Sequence, residues 1–481
     1  MPARPILSIA EMAAADAAAI KAGTPGLELM ERAGAAVAEA IVERFPKQPV
    51  QVLCGPGGNG GDGYVSARRL QALGWPVTLR ALARPGDAVS QAAAARWRGP
   101  VAALDGSPGD GLVIDAMFGA GLSRPLTGAA ASIAQALSMR PDGVIAVDVP
   151  SGLPGDTGEP PGPCVQAQLT VTFHARKLAH VLEPGRSLCG DVVVADIGLN
   201  ETSSQTVENS PELWLAHFPW PSVDAHKHAR GRLIVVSGDA TSTGAARLAA
   251  RAGLRIGSGL VTLYAAPEAA AVNAAHLEAV MLRTFDGDLA LEQAAAQVDA
   301  AIIGPAAGVT QTTLLNVLAL ARTGAALVLD ADAITVFRDD PEALFSVLDR
   351  DDVLTPHAGE FERLFPGVLT AGPERVSAAR RAAATAGAVI LLKGPDTVVA
   401  SPDGRAAVNL NGSRWLATAG SGDVLAGYIG GLMAQGMDSF QAACAAAWIH
   451  AEAAELHGPG LIAEDLPGLT PAVLRRLYDD R

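Results

Sequence analysis

The sequence predicts an α/β fold in two domains, on three observations. The chain has 481 residues, more than one hydrophobic core ordinarily supports. Short apolar runs alternate with amphipathic stretches, the rhythm of βαβ units and a parallel sheet. That rhythm stops once, across a polar, proline-bearing stretch, and then restarts.

The first series spans residues 49–153. PVQVLC (49–54) reads as a buried strand, DGYVSARRLQALG (62–74) as a helix and VTLRALA (77–83) as the next strand. GLVIDA (111–116) and GVIAVDV (143–149) continue the sheet. The second series opens at Gly231 with RLIVVSG as a strand, TGAARLAARAGLRIG as a helix and LVTLYAAP as a strand. AAIIGP (300–305), ALVLDADAI (326–334), DVLTPH (352–357) and AVILLKG (388–394) extend it. The break between them predicts a linker over residues 203–222, with one domain over 1–215 and the other over 220–481.

A net charge of −14 argues against broad, non-specific binding to nucleic acid or anionic lipid, both of which need a basic surface. Neither is an expected partner. Cys54, Cys164, Cys189 and Cys444 form no CxxC pair and no zinc spacing, which predicts a reduced, cytoplasmic protein. Glu11, Asp16 and Lys21 interrupt the N-terminal segment where a signal peptide would be apolar, so a soluble chain is expected.

In the first series, CGPGGNGGDGYVSARRL sets a glycine-rich turn between strand and helix. Such a turn brings backbone amides close to a phosphate, and it serves equally to reverse the chain. Asp115 and Asp148 each end a strand, on the edge where open parallel sheets gather ligands. Either alone reads also as a helix cap or turn former. Three strand ends converging favour a site.

In the second series, TAGSGDVLAGYIGGLMAQG carries Asp423 at the opening of an apolar helix. Free N–H groups there stabilise phosphoryl oxygens, and the carboxylate can take a proton from an attacking hydroxyl. A plain N-cap is the alternative. There is no Walker A motif. His226 and His228 lack a third ligand at a recognised spacing, so no metal is expected there. Asp330 and Asp332 read as a strand-end turn forming a site wall, and Trp448 and His450 as packing residues.

LMERAG (29–34), GGNGGDG (57–63), DAMFGAGLSRPLTG (115–128) and DVPSG (148–152), in that order, resemble the NAD(P)H-hydrate epimerase family. The resemblance implies a Rossmann-like three-layer α/β/α domain. It implies that Gly58, Asn59, Gly60, Gly61 and Asp62, with Gly119, Ala120, Gly121, Leu122, Ser123, Arg124 and Pro125, hold the hydrated cofactor. Asp148 would contact the altered nicotinamide ring as the acid/base residue. A potassium ion would be held by Asn59, Asp115 and Ser151, all hard oxygen donors. The family commonly has paired asparagines before GGDG, and here Gly58 replaces the first.

From His226 onward the chain resembles the ADP/ATP-dependent NAD(P)H-hydrate dehydratases, which have a ribokinase-like α/β/α fold. The resemblance rests on IIGPAAG, VLDADAI, VLTPHAGEFERL, LLKGPDTVVASPDG and LATAGSGDVLAGYIGGLMAQG. It implies adenine-nucleotide contacts from Lys393, Gly394, Pro395, Asp396, Thr397 and Gly422. Ala246, Gly304, Ala306, His357 and Asp423 would meet the hydrated cofactor, with Asp423 catalytic, and Glu360 would help hold Mg2+ through water. His228, Ala306 and Ser413 depart from the family pattern.

The two resemblances imply a metabolite-repair enzyme that interconverts R and S NAD(P)HX and dehydrates the S form with ADP as phosphoryl donor. A homo-oligomer is the expected assembly. A vitamin-precursor kinase would share AGSGD but leaves VLTPHAGEFERL and the first domain unexplained. A non-catalytic cofactor-sensing scaffold would not need Asp148 and Asp423.

Overall fold

A computed structural model describes residues 3–370, 374–479 and 481. The chain forms two compact units, Arg4–Ser204 and Gln205–Arg481.

The first unit is built on a seven-stranded sheet: β1 (Val50–Cys54), β2 (Val77–Ala81), β3 (Ala102–Ala103), β4 (Leu112–Ala116), β5 (Val144–Val147), β6 (Leu169–Phe173) and β7 (Asp191–Ala195). Their order is β3-β2-β1-β4-β5-β6-β7, and every pairing is parallel. β1, β4, β5 and β6 are buried along their whole length, which is why they read as unbroken apolar runs. The order reverses between β1 and β4, and a doubly wound sheet opens its crevice at such a reversal.

The glycine-rich stretch differs from the turn expected of it. It is already helix, Gly58–Ala72. Gly60 lets that helix start directly against β1, since a Cβ there would stand 2.0 Å from the Gly55 carbonyl oxygen.

The second unit holds a ten-stranded sheet: β8 (Thr206–Asn209), β9 (Arg232–Val236), β10 (Leu260–Ala265), β11 (Met281–Thr284), β12 (Ala300–Ile303), β13 (Ala326–Leu329), β14 (Val353–Leu354), β15 (Val389–Leu392), β16 (Val398–Ala400) and β17 (Ala406–Asn409). The order is β11-β10-β9-β12-β13-β14-β15-β16-β17-β8. It is parallel except where β16 runs antiparallel to both β15 and β17. The reversal of order falls between β9 and β12, and the helix Ser421–Ala434 packs there, with Gly430 against Ile302 and Leu233.

The linker expected over residues 203–222 is largely part of this second unit. Thr206–Asn209 pairs in parallel with β17, and Pro211 opens the short helix Pro211–Trp214. Trp214 is fully buried and donates from Nε1 to Asn209 Oδ1 at 3.2 Å. Asn209 Nδ2 in turn donates to Asn409 Oδ1 at 2.9 Å and to the Cys444 carbonyl at 2.8 Å. The polar residues that resemble a linker are partners inside a sheet edge.

Candidate active sites

In the first unit a cavity of about 800 Å³ opens at the ends of β1, β4 and β5. Its wall includes Gly58, Asn59, Asp62, Gly119–Arg124 and Asp148, together with Asp16 and Lys177. Asp148 follows β5 and takes a left-handed backbone, φ 65°, which a non-glycine residue adopts at a cost. Its Oδ1 accepts from Lys177 Nζ and Thr172 Oγ1, each at 2.9 Å, and its Oδ2 from the Ala120 N–H at 3.1 Å. Burial alone would raise this carboxyl, but the charge and hydrogen bond of Lys177 outweigh it and hold the pKa at about 2. Asp62 behaves in the opposite way. Burial, with the Asp148 and Asp16 charges adding, pushes it well above the ordinary carboxylate range.

Behind the cavity, Asp115 is fully buried and accepts from Ser151 Oγ at 2.6 Å and from the Ser151 N–H at 2.8 Å. Burial lifts its pKa to about 6 despite these bonds and a third from the Met117 N–H. Ser151 Oγ also accepts from the Phe118 N–H at 2.9 Å, tying the 117–120 loop to both residues. Asn59 Nδ2 is buried without a partner. A Cβ on Gly119 would meet Asn59 Oδ1 at 3.1 Å and Asp148 Oδ2 at 3.3 Å, so both oxygens flank that glycine.

In the second unit the strand ends assemble a charged group. Asp330, after β13, accepts at Oδ1 from Lys393 Nζ at 2.7 Å and Thr355 Oγ1 at 2.8 Å. Lys393 follows β15 and lies 3.9 Å from Glu360 Oε2. Gly422 sits over them: a Cβ there would meet Lys393 Nζ at 3.6 Å and Asp330 Oδ2 at 3.9 Å. Asp423 is next in the first turn of helix Ser421–Ala434, where free backbone N–H groups point outward. Burial raises its pKa to about 6, with the Asp330 carboxylate adding and Lys393 opposing.

His357 caps the helix Ala358–Leu364, its Nδ1 accepting from the Gly359 N–H at 2.9 Å and the Glu360 N–H at 3.2 Å. Glu360 Oε2 accepts from the His357 N–H at 2.9 Å, and its Oε1 lies 3.2 Å from His357 Nε2. Gly304, φ 125°, has no room for a side chain, because a Cβ would stand 1.7 Å from the Asp330 carbonyl oxygen.

Residues 233–462 match a family described as NAD(P)H-hydrate dehydratase, and residues 26–179 match a family described as YjeF-related protein N-terminus. The bifunctional NAD(P)H-hydrate repair enzyme Nnr of Moorella thermoacetica is 36% identical, with 95% of this chain and 94% of that protein aligned. The chain belongs to the bifunctional NAD(P)H-hydrate repair family. The Gloeobacter violaceus member is 37% identical over 94% of this chain and 93% of its own length. A ribokinase-like superfamily protein from Enterococcus faecalis superposes with a TM-score of 0.52 at 22% identity, covering 58% of this chain and 98% of that one, and so shares the fold.

Repair of hydrated NAD(P)H is therefore the function, and the residues named from sequence can be located against it. Gly60 and Gly61 lie buried in the first helical turn beneath the cavity. Pro125 packs toward Gly162. Gly58 faces open space, so its departure from asparagine removes an amide without a steric change. In the second unit, Gly394 and Thr397 bond each other, Gly394 N–H to Thr397 Oγ1 at 3.2 Å and Thr397 Oγ1 to the Gly394 carbonyl at 2.8 Å. Asp396 is paired with Arg375 at 3.0 Å. Ala246 is fully buried in the core, on helix Gly244–Ile256. Ala306 adopts φ 53°, the conformation that the family's usual glycine would take freely.

Sequence reasoning missed Lys177, Thr172, His180 and Asp16 in the first unit. It also read Asp330 as a wall when it is the direct partner of Lys393.

Proposed function

We propose that the first unit is an epimerase, an isomerase of R and S NAD(P)HX, and the second a nucleotide-dependent NAD(P)HX dehydratase, a lyase. The observation that carries the second assignment is Asp423 at the start of a fourteen-residue helix, flanked by Gly422 and facing the Lys393–Asp330 pair. Asp423, ionised above pH about 6, takes the proton of the ring hydroxyl as the phosphoryl group arrives. The helix N–H groups and Lys393 meet the phosphoryl oxygens. Loss of phosphate then restores the dihydronicotinamide ring.

ADP is the proposed donor, giving AMP and phosphate. Glu360, buried and 3.9 Å from Lys393, suits an outer-shell role toward Mg2+, which neutralises phosphate charge when bound. In the first unit, the side-chain oxygens of Asn59, Asp115 and Ser151 offer an all-oxygen donor set around a buried carboxylate. A potassium ion there would fix the 117–120 loop and with it the Ala120 N–H that meets Asp148. The four free, buried thiols support a reducing, cytoplasmic setting.

The test is recovery of NADPH absorbance from mixed epimers. With ADP or ATP both epimers should be consumed completely. Consumption of the S form alone would remove the epimerase, and no nucleotide-dependent recovery would remove the dehydratase.

A further inference from the structure

We infer that Lys177 is a positioning residue of the first site, clamping Asp148 as a fixed carboxylate so that its charge, not a proton it carries, acts on the nicotinamide ring. The inference rests on the assignment of epimerisation to this cavity.

The hydrogen bonds determine the role of Lys177. Its ammonium group has three N–H donors. They go to Asp148 Oδ1 at 2.9 Å, Thr172 Oγ1 at 2.8 Å and the Phe173 carbonyl at 3.2 Å, and the side chain is 2% exposed. No donor is left for a ligand, so Lys177 acts through Asp148. Thr172 Oγ1, accepting from Lys177, donates its own hydrogen to the same Asp148 oxygen. With Ala120 on Oδ2, three donors address the ionised carboxylate, and a proton on Asp148 would have to displace one of them.

The backbone is held as tightly. His180 Nδ1 accepts from the Lys177 N–H at 2.8 Å, which leaves the ring hydrogen on Nε2 to donate to the Asp148 carbonyl at 2.8 Å. Burial, with Lys177 nearby, lowers the His180 pKa to about 4, so the imidazole is neutral at pH 7. One ring thus ties both ends of the ion pair and supports the left-handed Asp148. Asp62 on helix Gly58–Ala72 and Asp16 on helix Ile9–Lys21 also face this centre, and His174, Arg176 and Cys189 lie close enough to interact by charge with Lys177, His180 and Asp148 respectively. Among the described residues no hydrogen-bond donor reaches the Asp62 carboxyl.

Hydration of a dihydronicotinamide puts the hydroxyl on the carbon bonded to the ring nitrogen. Asp62 lines the same cavity as Asp148; that hydroxyl takes the proton of the Asp62 carboxyl, the C–O bond breaks, and its electron pair leaves with water. The ring-nitrogen lone pair forms C=N⁺. Water then adds to the opposite face and returns a proton to Asp62, giving the other epimer with no change in oxidation state. A carboxylate locked beside the cationic ring stabilises it.

The experiment measures R to S interconversion without nucleotide in the full chain, by separating the epimers, across pH. The wild type should show no Asp148-dependent loss of rate down to about pH 4. Lys177→Met should lower kcat about 10²-fold at pH 7 with KM changed less than about threefold. It should also gain an acidic limb between about pH 5 and 7, as the buried Asp148, without its cation, takes up a proton. A loss equal at every pH would make Lys177 merely structural and overturn the inference, as would an unchanged rate.

Thr172→Val, which keeps the lysine, should lose about tenfold and begin to fall above about pH 4, and it decides the matter if Lys177→Met does not fold. A flat profile there also overturns the clamp. If the wild type does not interconvert the epimers, the epimerase reading fails separately. The clamp is then read from melting temperature, which should drop more steeply between about pH 4 and 2 in the wild type than in Asp148→Asn. Without that difference the clamp is absent.

Discussion

Lys393 Nζ stands 2.7 Å from Asp330 Oδ1, and the charge of the same carboxylate adds to burial in raising the pKa of Asp423 to about 6. One aspartate therefore bonds the residue proposed to meet phosphate and acts through its charge on the residue proposed to take the proton. It anchors the first and makes the second a better base near neutral pH.

Asp423→Asn keeps the size of the side chain and removes the proton acceptor. Dehydration should fall about 10²-fold or more with nucleotide KM little changed. In the wild type, dehydration should decline as pH falls through about 6, where Asp423 takes up its proton. Steady-state rates of NADPH recovery from the S epimer check both, and R to S interconversion in the same preparation should be unaffected.

Asp330→Asn removes the charge that helps raise Asp423, so the acidic limb of dehydration should move to lower pH. Lys393 also loses its partner, and nucleotide KM should rise. A kcat profile with its midpoint still at the wild-type position would show that Asp330 does not tune Asp423.

Asp115→Ala should abolish any stimulation of epimerisation by potassium and leave dehydration intact. The comparison is between potassium and an equal ionic strength of a larger organic cation. Equal stimulation of wild type and variant would rule out the proposed ligand set.

Residues 205–481 should fold alone, whereas a fragment beginning at residue 220 should not. The shorter fragment lacks β8 and Trp214, and loss of one buried tryptophan typically costs about 3–5 kcal/mol. Circular dichroism melts of the two fragments test this. Cooperative unfolding of both with equal midpoints would contradict it.

Ala306→Gly should raise the melting temperature slightly, since relief of a left-handed alanine contributes about 1 kcal/mol. A scanning-calorimetry difference of the opposite sign would mean that the methyl group packs usefully in the loop.

Much of this was legible because buried parallel strands read as uninterrupted apolar runs, and a carboxylate after such a run marks a strand end. Asp115 and Asp148 were found that way, and Asp423 by its place at the opening of an apolar helix. Lys177 was not, because a lysine between Arg176 and Leu178 carries no mark of burial, and its partner Asp148 lies on a different strand end. Thr172 looked like any strand threonine. The edge of the second sheet was misread for a related reason: Trp214 bonds Asn209, and Asn209 in turn donates to Asn409 and Cys444, far along the chain. The ALVLDADAI run also conceals a break, where Ala331 at φ 49° turns strand into helix and aims Asp330 at Lys393.

The pairing of β8 with β17 also sets a timetable for synthesis. Thr206–Asn209 leaves the ribosome well before Ala406–Asn409, and at roughly 5–20 residues per second the roughly 200 intervening residues take about 10–40 s. Throughout that interval the earlier strand has no sheet to join, and Trp214 has no pocket to enter. The nascent chain must keep a strand and an indole in waiting after the residues of the first unit have all been made.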